Sequence, residues 1–154
     1  MAGITNRGKK RILDSFFKDT SQPVTFYMAL CTSAITPTDL TNTMADLTQV
    51  ANGNGYNATA GGVAITRNAT GFDVGSTETD ASGLAYIQIK DVVYTASGGN
   101  LPSDSVGARW AVLTTDEATV ATRDVIAYFD LVSARVVSTG QSITLQNCEI
   151  RGTE

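Results

Sequence analysis

The sequence contains no histidine, and its 154 residues include only two cysteines, three prolines and one tryptophan. The absence of histidine excludes Ser-His-Asp and Cys-His catalysis, His-ligated zinc and imidazole proton transfer. Charged residues are scarce, at 17%, whereas threonine and serine are abundant. That composition is typical of β-strands with hydroxyl-rich outer faces. It favours assembly over catalysis, and we expect no enzyme activity and no cofactor.

Long apolar runs are also lacking in the sequence. No segment approaches the roughly 18 apolar residues of a membrane span, and the N-terminal basic residues are not followed by the apolar stretch of a signal peptide. We therefore expect a soluble protein made in the cytoplasm, with no membrane partner. Cys31 and Cys148 match no zinc-ligand spacing. They are expected to be buried free thiols rather than a disulfide, although a bridge formed later outside the cell stays open.

Charge is distributed unevenly along the chain. The first 18 residues carry five basic residues and one acid, a net charge of +4, and the other 136 residues have a net charge of −8. Residues 4–18 predict a short amphipathic helix that Thr5 or Asn6 can cap. Its apolar residues form one stripe at helical spacing: Ile12, Leu13, Phe16 and Phe17.

Two interpretations of this helix follow from the pattern. In the first, the stripe packs on the protein's own sheet and the basic face is solvated. In the second, the basic residues form an arm that docks on an acidic neighbour, with the candidate contacts Arg7, Lys9, Lys10 and Arg11. Nucleic acid is an unlikely partner, because the pI is about 4.7 and no aromatic residue is interleaved with the bases.

After Pro23 the hydrophobic period changes from 3.6 to 2, which indicates β-strands. Strands are predicted at 24–31, 63–67, 84–95, 108–113 and 124–131, and a hairpin at 134–150 around the turn 138–141. The alternation slips near Asp91, which suggests a bulge there. The spacing of Leu40, Met44 and Leu47 allows a second short helix. The expected fold is mainly β, an antiparallel β-sandwich or barrel-like single domain at 19–154 that follows the helical arm at 1–18.

Few residues are candidates for chemistry or binding. The acidic loop 71–83, with Asp73, Glu78 and Asp80, could supply oxygen ligands to calcium, but its spacing fits no EF-hand, and we favour solvated acids and no metal site. Trp110 fits a core anchor better than a binding hot spot. Its neighbour Arg109, and Arg123 at the end of the following connection, are candidate contacts to a carboxylate of a neighbouring subunit.

Several segments, taken in order, resemble a widespread group of small virion proteins of tailed bacteriophages. These proteins share a short N-terminal helix, a first strand like YLALHT, a turn like GGYAR, a turn like W/YTASGG and a terminal strand like sGqtltl. The corresponding segments here are ITNRGKKRILD at 4–14, FYMALCT at 26–32, NGY at 54–56 with Gly61-Gly62, YTASGGNLP at 94–102, DVIAYFDL at 124–131 and GQSITL at 140–145. Cys31-Thr32 stands where histidine is common, and a longer 56–67 segment replaces Tyr-Ala-Arg.

The resemblance implies a structural role in a virion. Members of the group are variously head-decoration, minor structural or tail-appendage proteins. We therefore expect a capsid decoration (cement) protein that stabilises the head by binding major capsid subunits, as a homo-oligomer in the virion. The alternative is a minor tail or tail-appendage protein for tail assembly or host adhesion.

Overall fold

The computed structural model describes residues 2–73 and 86–151. In these residues the chain is mainly β, with one α-helix near its N-terminus. The elements in chain order are β1 (Ala2–Ile4), α1 (Asn6–Lys18), β2 (Thr25–Cys31), β3 (Val63–Thr66), β4 (Phe72–Asp73), β5 (Tyr86–Ile89), β6 (Val92–Thr95), β7 (Ala108–Thr114), β8 (Val125–Arg135), β9 (Ser142–Leu145) and β10 (Cys148–Arg151).

The strands form two antiparallel layers. The main sheet has the order β1-β8-β7-β2-β3, and the second layer combines β10-β5-β4 with the pair β6-β9. The two layers enclose one large apolar cluster, and the described residues contain no closed barrel. The predicted mainly β, antiparallel fold with an N-terminal helix is confirmed.

The second layer contains a long two-stranded ribbon with a break in its middle. Ile89 lies opposite Cys148 in β5–β10 and Val92 lies opposite Leu145 in β6–β9, so the register is the same on both sides of the break. Each strand has two exposed residues at the break. The sequence thus locates the irregularity near Asp91 correctly. It is an interruption in both strands, however, and not one extra residue in a single strand.

The predicted hairpin at 134–150 is wrong. β8 belongs to the main sheet, whereas β9 crosses to the second layer and pairs with β6. The turn itself forms, but it binds the end of β6: Gly140 N donates to the Ala96 carbonyl over 2.8 Å, and Ala96 N donates to the Gln141 carbonyl over 2.8 Å. The sequence shows that a turn forms at 138–141. It does not show that this turn bonds to β6.

The second short helix is reduced to one 3₁₀ turn, Met44–Asp46. The backbone beyond it is extended because it bonds to the end of β2. Thr32 N donates to the Thr48 carbonyl over 2.8 Å, and Val50 N donates to the Leu30 carbonyl over 3.0 Å. Met44 and Leu47 are buried. Their apolar spacing therefore arises because both side chains face the core, although the backbone that carries them is not an α-helix.

Both faces of the main sheet are covered. One face packs on the second layer through residues such as Met28, Leu30 and Leu113. The other face carries a smaller cluster in which Met44 and Leu47 cover β2, β7 and β8. No apolar sheet face in the described part of the chain is therefore left open for α1.

The two cysteines are free and buried, as predicted. Burial raises the pKa of Cys31 to about 12 and that of Cys148 to about 11, so almost no thiolate is present at pH 8.

We expect iodoacetamide to leave both cysteines of the native protein almost unmodified at pH 8 and to label both once urea unfolds it. In the native state the residual labelling at Cys148, at 7% exposure, should exceed that at Cys31, at 0%. Mass spectrometry of the peptides measures both rates, and rapid labelling of native Cys31 would contradict the buried site.

Candidate functional site

The N-terminus of α1 is fixed to strand β8. Thr5 is the N-cap: its hydroxyl accepts a hydrogen bond from Gly8 N over 2.9 Å and donates to the Val125 carbonyl. Thr5 N also donates to the Ile126 carbonyl over 3.0 Å. Gly8 is buried, and a Cβ added there would overlap the Ile126 carbonyl oxygen. The helix therefore approaches the strand so closely that only glycine fits at this point.

The basic face of α1 is held by acids of the same chain. Arg7 Nε lies 2.8 Å from one Asp124 carboxylate oxygen, and the Arg11 guanidinium lies 2.6 Å from the other. Arg11 also lies 2.7 Å from Glu117 Oε1. Burial lowers the pKa of Arg11, but the hydrogen bonds and charges of Asp124 and Glu117 outweigh it, and the net direction is upward. We call these four residues, Arg7, Arg11, Glu117 and Asp124, the arginine clamp.

Asp124 is the buried member of the arginine clamp, and its hydrogen bonds fix its position. Its side chain is 6% exposed, and its backbone N–H donates to Thr115 Oγ1 over 2.9 Å. The Thr115 hydroxyl in turn donates to Glu117. A buried carboxylate needs bonded partners, and the two arginines supply them. The second interpretation of the helix had the acidic neighbour in another molecule, whereas in the structure the acids belong to this chain.

The apolar stripe of α1 points away from the body. The exposed fractions are 55% for Ile12, 56% for Leu13, 81% for Phe16 and 74% for Phe17. The first interpretation, in which the stripe packs on the sheet, is therefore wrong. The physical reason is that the sheet faces are already covered and that the clamp and Gly8 turn the polar side of α1 inward. The outward side, which we call the α1 apolar face, is formed by Ile12, Leu13, Phe16 and Phe17.

Three lysines of α1 stay at the surface. Lys10 and Lys18 both pair with Asp14, with Lys18 Nζ 2.9 Å from its carboxylate. Hydrogen bonds from these lysines lower the pKa of Asp14 to about 2. Lys9 is exposed. Of the predicted contacts on the helix, Lys9 and Lys10 thus lie at the surface, and Arg7 and Arg11 bind the body.

The other candidate contacts are held inside the body. Arg123 is buried; it donates to the carbonyls of Glu117 and Ala60 over 2.9 and 2.8 Å and stacks 4.0 Å above the Tyr27 ring. Trp110 is a core residue, in line with the favoured interpretation, and Arg109 stacks on it at 4.9 Å.

Arg109 also bonds to Asp130 over 3.1 Å. Arg109, Trp110 and Arg123 therefore stabilise this protein's own fold. The sequence could not distinguish that role from a partner contact.

Four of the six segments that carry the phage resemblance pack against one another: 26–32, 54–56 with Gly62, 94–102 and 140–145. The Tyr56 hydroxyl accepts a hydrogen bond from Leu30 N over 3.0 Å, and the Tyr94 hydroxyl donates to the Met28 carbonyl. The rings of Tyr56 and Tyr94 lie 5.7 Å apart, and burial raises the pKa of both phenols. A Cβ added at Gly62 would overlap the Met28 carbonyl oxygen. The first strand, the NGY segment, Gly62 and the YTASGG segment thus form a single packing centre.

The turns of these segments bind one another as well. Asn54 Nδ2 donates to the Asn100 carbonyl over 2.8 Å, and Ser97 N donates to the Asn54 carbonyl over 3.1 Å. The GQ turn at 140–141 bonds to Ala96 on the same side. We call this assembly of segments the motif centre. Its glycines and tyrosines serve packing and turn formation.

Residues 2–73 and 86–151 contain no group of three or more Cys, Asp or Glu residues placed to hold a metal ion. Glu78 and Asp80 of the acidic loop lie outside these ranges. No helix in the same ranges has the length and apolar character needed to cross a bilayer. Comparison with known protein families, curated proteins and solved structures finds no match for this chain.

Proposed function

We propose that this chain is a structural protein of a tailed-phage virion, and specifically a capsid decoration protein that binds major capsid subunits. The observation that carries the proposal is the motif centre. Segments that resemble the phage proteins, and that lie far apart in sequence, pack against one another and share hydrogen bonds. We take this convergence as support for the proposal, because an inherited fold would bring the same segments together.

A second observation supports an assembly role. The α1 apolar face is exposed and held in a fixed orientation by the arginine clamp. Contiguous exposed apolar patches on soluble proteins usually mark interaction sites. A decoration protein needs only modest interface energy per copy, because many copies that bind the assembled shell stabilise it by mass action.

The proposal predicts binding to expanded capsids of the phage that encodes the chain. Purified protein added to expanded capsids that lack it should co-sediment with them and raise their thermal disruption temperature, because it binds the assembled state only. Capsids that already carry the protein are the control and should show no further rise. Absence of co-sedimentation at micromolar concentration would overturn the decoration role.

Location in the particle is tested separately by immunogold labelling of intact virions. Uniform labelling of the head agrees with decoration. Labelling at the tail would favour the tail-appendage alternative. Absence of the chain from purified virions by mass spectrometry would overturn the virion role altogether.

A further inference from the structure

The α1 apolar face has the properties of a preformed interface. The rings of Phe16 and Phe17 contact each other edge to face, with centroids 5.0 Å apart. Since an aromatic side chain can bury about 150–250 Å², these two rings expose about 300 Å² and the whole face about 500 Å². The face cannot turn inward, because Gly8 and the arginine clamp fix the opposite side of the helix on β8.

The charges at the two ends of this face are opposite in sign, so two copies of the face are complementary when they pack antiparallel. Lys9 lies in line with the apolar stripe at its N-terminal end, and Asp19 follows the helix at its C-terminal end as the C-cap. Both are exposed. The midpoint between Lys9 and Asp19 falls within one residue of the midpoint of the apolar set, which is less than about 1.5 Å along a helix axis. An antiparallel pairing of two such helices therefore places apolar on apolar and each lysine near an aspartate at the same time.

From this arrangement we infer that the occupant of the α1 apolar face is a second copy of this chain. The two α1 helices pack antiparallel about a two-fold axis, with Leu13 near Phe16 of the other copy and two Lys9–Asp19 pairs at the ends. Complete burial of the face in both copies would remove at most about 1,000 Å², which is at the lower limit for a specific interface. The dimer is accordingly weak, with a dissociation constant on the order of 10–100 μM. It does not depend on the proposed virion role, although a crowded shell would populate it.

Sedimentation velocity of the whole chain between about 2 and 200 μM tests the dimer. The wild type should shift from monomer to dimer over this range. The double variant Phe16→Ser/Phe17→Ser should weaken the dimer at least about 30-fold, because it removes most of the buried apolar surface. Val132→Ser is the matched control: Val132 is 80% exposed on β8, and its replacement should leave association unchanged. A wild type that stays monomeric at about 200 μM, or equal effects of the two changes, would overturn the inference.

Charge reversal tests the antiparallel geometry. Lys9→Glu alone and Asp19→Lys alone each place like charges together at both ends of the dimer, and each should weaken it about tenfold at low salt. Mixing the two variants in equal amounts pairs opposite charges at both ends and should restore association to within about threefold of the wild type. Failure of the mixture to associate better than either variant would overturn the two-fold pairing. Asp19 has a φ of 50°, a left-handed conformation that aspartate adopts more readily than lysine, so the urea midpoint of Asp19→Lys should fall slightly and that of Lys9→Glu should stay near the wild type. A cooperative urea transition verifies that each variant is folded.

The outcomes are separable from those of the proposed function. A dimer that does not bind capsids overturns the decoration role alone. A protein that binds capsids but stays monomeric overturns the dimer alone.

Discussion

Replacing Gly62 with alanine should lower the free energy of unfolding by about 2–5 kcal/mol. Gly62 has a φ of 97°, a left-handed conformation that costs a residue with a Cβ about 1–2 kcal/mol. The added Cβ would also overlap the Met28 carbonyl oxygen and lie 2.8 Å from the Met28 carbonyl carbon and 3.0 Å from Ala29 Cα. These are backbone atoms of Met28 and Ala29, two fully buried residues of β2, which cannot move aside as a flexible side chain can, and overpacking of this kind costs about 1–3 kcal/mol more.

Gly140→Ala is the matched control for this substitution. Gly140 has a φ of 85°, but a Cβ added there has no neighbour within 4 Å. It should therefore cost only the backbone term, about 1–2 kcal/mol. Urea denaturation with linear extrapolation measures both values. Equal losses in the two variants would show that the close approach of Gly62 to β2 has no energetic consequence. Insoluble Gly62→Ala protein beside folded Gly140→Ala protein would agree with the expectation.

Replacing Asp124 with alanine should release α1 from the body and destabilise the protein by about 2–4 kcal/mol. Removing one partner of a buried ion pair typically costs about 3–5 kcal/mol. The value is reduced here because Arg7 and Arg11 are 44% and 32% exposed and regain part of their hydration. Trypsin should then cut the folded variant within α1, at basic residues such as Arg7 and Arg11. Under the same conditions the wild type should resist cleavage at these sites.

Asp14→Ala provides the control, because Asp14 also binds two basic residues but does so at the surface. Exposed ion pairs contribute about 0–1 kcal/mol, so the unfolding free energy and the tryptic pattern should change little. If both variants lost the same stability, the arginine clamp would be no stronger than an ordinary surface ion pair.

Features that depend on local pattern could be predicted from the sequence. A helix cap at Thr5 or Asn6, a strand at 24–31 and the irregularity near Asp91 follow from capping chemistry and from alternation of neighbouring residues. The alternation predicts a half-buried strand, whereas residues 28–31 are buried on both faces of the sheet. The burial of Trp110 and of the two thiols follows from residue type and from the absence of metal-ligand spacing. In each case the signal lies in the residue type itself or in its neighbours along the chain.

The candidate site could not be predicted in this way. The clamp joins Arg7 to Asp124, which lie 117 residues apart. No sequence pattern around either residue indicates that the two are in contact. The orientation of α1 depends on the loop around Met44 and Leu47, which occupies the sheet face that the apolar stripe would otherwise cover. The pairing of β9 with β6 likewise depends on where the turn at 138–141 docks. Tertiary contacts decided each of these. A helical stripe indicates an apolar face without indicating whether the protein's own sheet covers it.

The location of the single tryptophan provides an intrinsic fluorescence reporter. Trp110 is buried against Tyr128 and Arg109, while α1 presents phenylalanines to solvent. Excitation at 295 nm therefore follows unfolding of the sandwich and should be insensitive to association at the helix. Folding and assembly can then be followed independently in one unlabelled sample, by emission and by sedimentation. A change in tryptophan emission on dilution of the folded protein would show that the sandwich itself rearranges when the copies separate.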